Sequence, residues 1–303
     1  MDNPTLEETS FQSRKNGFEV FAALQERIQN KVPTSLIRLG DGEGTILGFP
    51  HFTSRSNVDY FLRTWYGHTH FSDDVLKLHK TQLKEAISAA DIIGIPRTKQ
   101  IIKSKQWASV EKSLLKYKLI EPSHIVTDTA IHRYLTFALL YRALLHGQTF
   151  LGLISCRDVV DKLKSIFKIE NIAYYPIRGE SKFPGSEQQA HFPDRFNTIE
   201  KSLFVPFLGA IFFVGAGVLG KTYCKWIKER GGIAIDIGSI FDAWDDAPTR
   251  TKHPVHKLER YKEHPTISLV EACNRYNLIL DEFQLDGTKV TLNSLPSNIP
   301  LSW

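Results

Sequence analysis

Residues 210–238 read AIFFVGAGVLGKTYCKWIKERGGIAIDIG, and this stretch decides the fold class. The apolar run 210–214 has the length and composition of a buried strand, and 233–237 has the same character. Between them lie a full G-x-G-x-x-G turn from Gly215 to Gly220 and an amphipathic segment, 219–230, which Gly231 and Gly232 terminate. Strand, glycine turn, helix and strand make one βαβ unit, whose strands run parallel because the helix carries the chain back across the sheet. Glycines at such a turn let a helix N-terminus approach an anion, where unpaired N–H groups favour phosphate. Lys221, in the first turn, adds a positive charge.

The alternation extends over most of the 303 residues. Further short apolar runs at 35–39, 92–95, 124–126, 150–154 and 173–176 predict strands. Helices are predicted at 17–30, 74–90, 105–117, 131–146, 157–167 and 192–203, where apolar residues recur at three- and four-residue spacing, as in Phe18, Phe21, Ala22 and Leu24. The pattern predicts an α/β, Rossmann-like fold: a mostly parallel sheet with helices on both faces, plus a short irregular C-terminal segment. No Pro- or Ser-rich linker divides the chain. The expected organisation is a flexible segment 1–16, one α/β domain over 17–248, and an extension 249–303 packed on the same domain.

Composition narrows the function. Hydrophobic residues make up 42% and charged residues 23%, ordinary globular usage that excludes a disordered or collagen-like chain. With 38 Lys and Arg against 33 Asp and Glu, the net charge is +5. So small and scattered a surplus fits an anionic substrate better than nucleic acid. Cys156, Cys224 and Cys273 have neither metal-ligand spacing nor an even count, which points to a reducing cytoplasm. The uncharged stretch 202–220 is broken by Pro206 and four glycines, and its apolar core is well short of the ~20 residues that a membrane span needs. A soluble protein is expected.

Three segments carry candidate chemistry. The strand at 35–39 runs into Gly40-Asp41-Gly42-Glu43-Gly44, with Arg38 at its end. Two carboxylates spaced i, i+2 at a strand's C-terminal end can reach one hard cation such as Mg²⁺ or Mn²⁺, and Arg38 can meet a phosphate. The alternative is an acidic turn in which Asp41 caps a helix starting near Gly44. In the second segment, Asp236 lies 21 residues after Gly215, near the distance at which a dinucleotide fold places its ribose-binding acid. A Rossmann-type NAD(P)-dependent oxidoreductase is therefore the rival reading. Against it, only one clear strand follows the glycine turn, and Asp236 sits inside that strand rather than at its tip. The third segment holds Asp242, Asp245 and Asp246 with Phe241 and Trp244. Rings and carboxylates beyond a strand end suit a sugar, whose flat faces stack and whose hydroxyls donate.

Together the Arg38-Leu-Gly-Asp41-Gly-Glu43 turn and the later Val214-Gly-Ala-Gly turn with Ala234-Ile-Asp236-Ile-Gly resemble two anchors of the bacterial glycosyltransferases of the GT-D fold. The resemblance implies metal-assisted transfer of a sugar from a UDP- or GDP-type nucleotide donor to a surface glycan, glycoprotein or lipid-linked acceptor. It places the metal, Mn²⁺ or Mg²⁺, on Asp41 and Glu43. For such a reaction, Arg38, Arg157, Arg178 and the turn Gly40, Gly42, Gly215, Gly217, Lys221 and Asp236 are the expected donor-binding residues. Asp242, Asp245 or Asp246 is the expected base, and Phe241 and Trp244 are expected to contact sugar or acceptor. Other polar residues beyond strand ends, such as Arg97, Asp128 and Glu180, are further candidates for ligand contact.

Three signals are weaker. His68-Thr-His70 lacks a third metal ligand, and Cys156 lacks a histidine partner. The basic run 250–264 reads as a solvated helix face, with peripheral contact at the inner membrane surface as its alternative use.

Overall fold

The computed structural model describes residues 14–67, 71–180, 189–247, 256–282, 289–295, 299–300 and 302. The predicted flexible segment 1–16 therefore lies outside the described residues except for its last three. Those are tied down: the Lys15 amide donates to the Val126 carbonyl at 2.8 Å. The His68 and His70 pair also lies outside, as does the start of the basic run. In the described part of that run Leu258 and Tyr261 are fully buried while Lys257, Lys262 and Glu263 are exposed, so its charged side is solvated and its apolar side packs on the domain.

Seven strands form one parallel sheet: β1 Thr34–Arg38, β2 Ile92–Ile95, β3 Ile125–Asp128, β4 Phe150–Ser155, β5 Asn171–Pro176, β6 Ile211–Gly215 and β7 Ile233–Asp236, in the order β3-β2-β1-β7-β6-β4-β5. Each corresponds to one of the predicted apolar runs. Helices α1 Gly17–Gln29 and α2 Asp41–Gly48 flank β1, and α3 Arg55–Trp65 and α4 Asp73–Ser88 precede β2. After β2 come α5 Thr98–Lys103 and α6 Lys105–Tyr117, and after β3 come α7 Ile131–Phe137 and α8 Leu140–Leu145. The chain continues through α9 Val160–Phe167, α10 Phe196–Ser202, α11 Leu219–Glu229, α12 Ile240–Trp244, α13 Glu259–Glu263 and α14 Leu269–Glu282. The segment 131–146, expected as one helix, is two, because Leu139 takes a left-handed φ of 58° between them. Within the C-terminal extension, α14 is a regular helix that its composition did not announce. Its Tyr276 packs edge-on against Phe18 and Tyr134, at 5.5 and 5.6 Å between ring centroids.

Side-chain alternation along each strand divides the core in two. Leu36, Ile211, Phe213, Ile233 and Ile235 face a layer built by α1, α7, α8, α12 and α14. Ile37, Phe212, Val214 and Ala234 face the opposite layer of α2, α4, α6, α10 and α11. Strands buried on both faces explain the unbroken apolar runs.

In the second layer α2 crosses α6 with no room to spare. A Cβ added to Gly44 would lie 1.9 Å from the backbone oxygen of Gln106. Gly44→Ala must therefore push the two helices apart. The expected cost is about 1–3 kcal/mol, to be read from the midpoint of urea unfolding.

Candidate active site

The C-terminal ends of the parallel strands open on a cavity of about 480 Å³. Arg38 and Gly40 enter it after β1, Arg97 after β2, His132 after β3, Arg157 after β4 and Asp236 from β7. The topology produces this convergence. The chain runs outward from β1 through β2 to β3, crosses to the other half, adds β5 outside β4, and then fills inward with β6 and β7 until β7 lies beside β1. Loops after β1 and β7 consequently leave in different directions and part around a crevice.

A buried ionic chain forms the floor. The Arg38 guanidinium donates to the Asp236 carboxylate at 3.0 Å and to its backbone carbonyl at 2.9 Å, so one side chain clamps β1 to β7. Lys221 Nζ lies 2.9 Å from Asp236 Oδ2 and 2.6 Å from Glu43 Oε1. Burial alone would raise the Asp236 carboxyl, but Arg38 and Lys221 outweigh it and hold the group below the usual carboxylate range. Burial would likewise lower the Lys221 ammonium, and Asp236 with Glu43 reverses that, keeping it protonated. Gly238 lets this floor close. Its φ is +50°, and a Cβ there would sit 1.9 Å from the Arg38 guanidinium.

Of the sequence candidates, Arg38, Gly40, Asp41, Gly42, Glu43 and Arg157 line the cavity, as do Gly215, Gly217, Lys221, Asp236, Phe241 and Asp242. Asp242 accepts from Arg157 Nε at 2.9 Å, which fixes both on the cavity wall. Phe241 contributes only an edge, being 2% exposed. Five candidates are not part of the lining; one, Asp128, is buried and accepts from the Ala130 amide and the Tyr134 hydroxyl. Trp244 is fully buried, packed edge-on to Tyr141 and Tyr261, because α12 turns it into the core. It cannot stack on a sugar. Asp246 points to Lys257, at 2.6 Å. Asp245 ends α12 beyond the cavity rim, and Arg178 packs beside Gly67. Cys156 lines the cavity, but burial pushes its thiol up to about 11, so it is no activated nucleophile.

The sequence reading missed Trp65, Trp107, His132 and Arg133, all of which line the cavity. Trp65 closes α3 and is 39% exposed, while Trp107 lies within α6 beside Gly40. The sequence carried no signal for Trp65, because α3, which brings it to the cavity, was not foreseen and its exposure is a product of the fold.

The Asp41 and Glu43 pair, which the resemblance makes a metal site, does not fit that role in this geometry. Both residues lie in the first turn of α2, with Gly40 as N-cap. Positions i and i+2 of a helix point to different sides. Asp41 is exposed at the cavity, whereas Glu43 is 4% exposed beneath it. Glu43 Oε2 accepts the Gly40 amide at 2.7 Å, and Oε1 holds Lys221. The capping residue is thus Glu43, reaching back, rather than Asp41. Among the described residues no three His, Cys, Asp or Glu side chains are grouped to hold a metal ion.

The model of the GT-D fold-like domain matches residues 15–244. The chain belongs to the GT-D-like family. The match runs from Lys15, which pairs with the edge of β3, to the end of α12, and so includes all seven strands. Two solved structures are similar to it. One, described as a highly conserved domain of unknown function 1792 with a distinct glycosyltransferase fold, is 13% identical, with a TM-score of 0.48, covering 78% of this chain and 82% of that one. The other, a selenomethionine-substituted domain of unknown function 1792, is 13% identical, with a TM-score of 0.47, covering 80% and 87%. No curated protein matches the sequence.

Membership of the GT-D-like family assigns the chain a glycosyltransferase-type fold and, with it, a transferase class of activity. Neither family nor geometry favours the oxidoreductase alternative. A ribose-binding acid must offer its oxygens to hydroxyls. Asp236 spends its own on Arg38 and Lys221. No helix among the described residues is long and apolar enough to cross a membrane.

Proposed function

We propose that this GT-D-like domain transfers a sugar from a UDP- or GDP-type nucleotide donor to a glycan, glycoprotein or lipid-linked acceptor. The observation that carries the reading is the pairing, in one cavity, of Arg97, Arg133 and Arg157 with the indole rings of Trp65 and Trp107. Guanidinium groups suit the oxygens of a diphosphate, and an indole face suits a nucleobase. A cavity of about 480 Å³ also lies in the size range of small-ligand sites.

In the reaction, the bond from the sugar's anomeric carbon to the diphosphate breaks as the acceptor oxygen bonds to that carbon. The leaving diphosphate gathers negative charge, which Arg157 and its neighbours offset from fixed positions. The acceptor hydroxyl must lose its proton, and we assign that proton to Asp242, the member of the Asp242, Asp245 and Asp246 group that lines the cavity.

Thermal-shift titration with UDP, GDP and NAD(H) tests the reading. A nucleoside diphosphate is expected to raise the melting temperature, and NAD(H) is not. Stabilisation by NAD(H) alone would sink it. Trp107→Ala and Trp65→Ala are expected to weaken nucleotide binding by about 1–3 kcal/mol, roughly 5- to 150-fold, if the base stacks there. Calorimetric titration with the nucleotide measures this directly.

A further inference from the structure

The Lys221 ammonium is enclosed by oxygen. Its three nearest acceptors are Glu43 Oε1 at 2.6 Å, Asp236 Oδ2 at 2.9 Å and the Gly217 carbonyl at 3.0 Å. An ammonium has three N–H bonds and no more, so each already has an acceptor. Lys221 is 3% exposed, and no hydrogen remains to point at a phosphate. This departs from the phosphate-binding lysine expected after a glycine turn.

Two carboxylates and a carbonyl around one centre would serve a hard cation equally well. Here the position is filled from within the chain. Glu43 belongs to the turn expected to recruit a divalent metal, and Asp236 to the strand of the second anchor. The same lysine joins both, across the interval from α2 to β7. Two buried carboxylates close to one another require a counter-charge, and the tethered ammonium supplies it without drawing on ions from solution.

We propose that Lys221 is the resident cation of this cavity, occupying the oxygen cage in which Glu43 would otherwise help to hold a divalent metal. The positive charge offered to a leaving diphosphate then comes from arginines, not from an ion on the Asp41-x-Glu43 turn. This consequence for the reaction rests on the transferase reading above, but occupation of the cage does not.

Mn²⁺ alone, followed by its electron paramagnetic resonance spectrum, is the probe. The six-line signal of aqueous Mn²⁺ falls when the ion is bound. Wild-type protein is expected to leave the signal undiminished. Lys221→Met, which keeps the side chain's length and removes its charge, is expected to bind about one Mn²⁺ per chain, in the manner of an all-oxygen site. Adding Glu43→Gln to that variant should abolish the gain, and Gln retains an oxygen for the Gly40 amide. Stoichiometric Mn²⁺ binding by the wild type that Glu43→Gln abolishes would overturn the proposal. A folded Lys221→Met that binds no more Mn²⁺ than the wild type would overturn it too. Should Lys221→Met fail to fold, the wild-type titration with its Glu43→Gln control decides alone. Since no nucleotide is present, failure here is distinct from a failure of donor binding in the thermal-shift experiment.

Discussion

At pH 5 the protein is expected to be about 4 kcal/mol less stable than at pH 7, with two histidines responsible. His79 on α4 and His191 lie in one aromatic cluster, where the ring centroids of Phe192 and His79 are 4.0 Å apart and His191 stacks on Tyr223. Burial lowers His79 to about 4, and burial, reinforced by His79 and Arg195, lowers His191 to about 3. Both are neutral in the folded protein, whereas the unfolded chain takes up a proton on each near pH 6.5. A folded value below the unfolded one means that the unfolded state binds more protons as the pH falls. The stabilisation is therefore complete above about 6.5 and declines below it, by about 1.4 kcal/mol per pH unit for each ring until the folded values are reached. Urea unfolding at a series of pH values measures the slope. His79 Nε2 has no hydrogen-bond partner among the described residues, so His79→Leu removes no bond at that atom and should roughly halve the slope. A stability profile flat from pH 7 to 5 would show that these rings protonate without unfolding.

Much of this architecture was legible in the sequence, for a physical reason. A strand covered on both faces must be apolar along its middle, and β2 and β6 are such runs, whereas the edge strand β5 is only half-buried and starts on Asn171. Less visible were the elements whose stability comes from packing. α2 carries three glycines in eight residues, a poor helix by propensity, and persists because Gly44 lets α6 approach. For the same reason its cap was misread, since a turn rich in Gly and Asp looks like a loop. The site divides along similar lines. Arg38 and Asp41 stand next to a recognisable strand end, so local pattern was enough to nominate them, whereas Asp236, expected inside its strand, is the last residue of β7, because the chain turns at Gly238. That Lys221 bridges Glu43 and Asp236 was not local information, because Glu43 is brought to the lysine only by the β1–β7 pairing. Trp244 shows the reverse error: composition grouped it with the aspartates, but a single turn of helix separates a residue facing the cavity from one facing the core.

That same turn of helix yields the sharpest functional expectation. Asp242→Asn is expected to lower sugar-transfer turnover by about 10²- to 10⁴-fold while leaving nucleotide affinity close to wild type. The substitution is informative because it separates two roles of the carboxylate. Asp242 Oδ1 accepts the Arg157 Nε hydrogen bond at 2.9 Å, and an asparagine carbonyl oxygen can accept the same bond. Arg157 is then still held at the wall, and what is lost is the negative charge and the capacity to take a proton. If Asp242 only positions Arg157, the variant retains most of its turnover. If it removes the acceptor proton, turnover falls and donor binding does not. Asp245→Asn and Asp246→Asn serve as controls and should transfer at near wild-type rates, since neither residue lines the cavity. The competing base is Asp41, the exposed carboxylate at the start of α2. Normal transfer by Asp242→Asn together with loss in Asp41→Asn would move the proton to that residue, and would make the Arg157–Asp242 pair a device for holding the guanidinium against the leaving diphosphate.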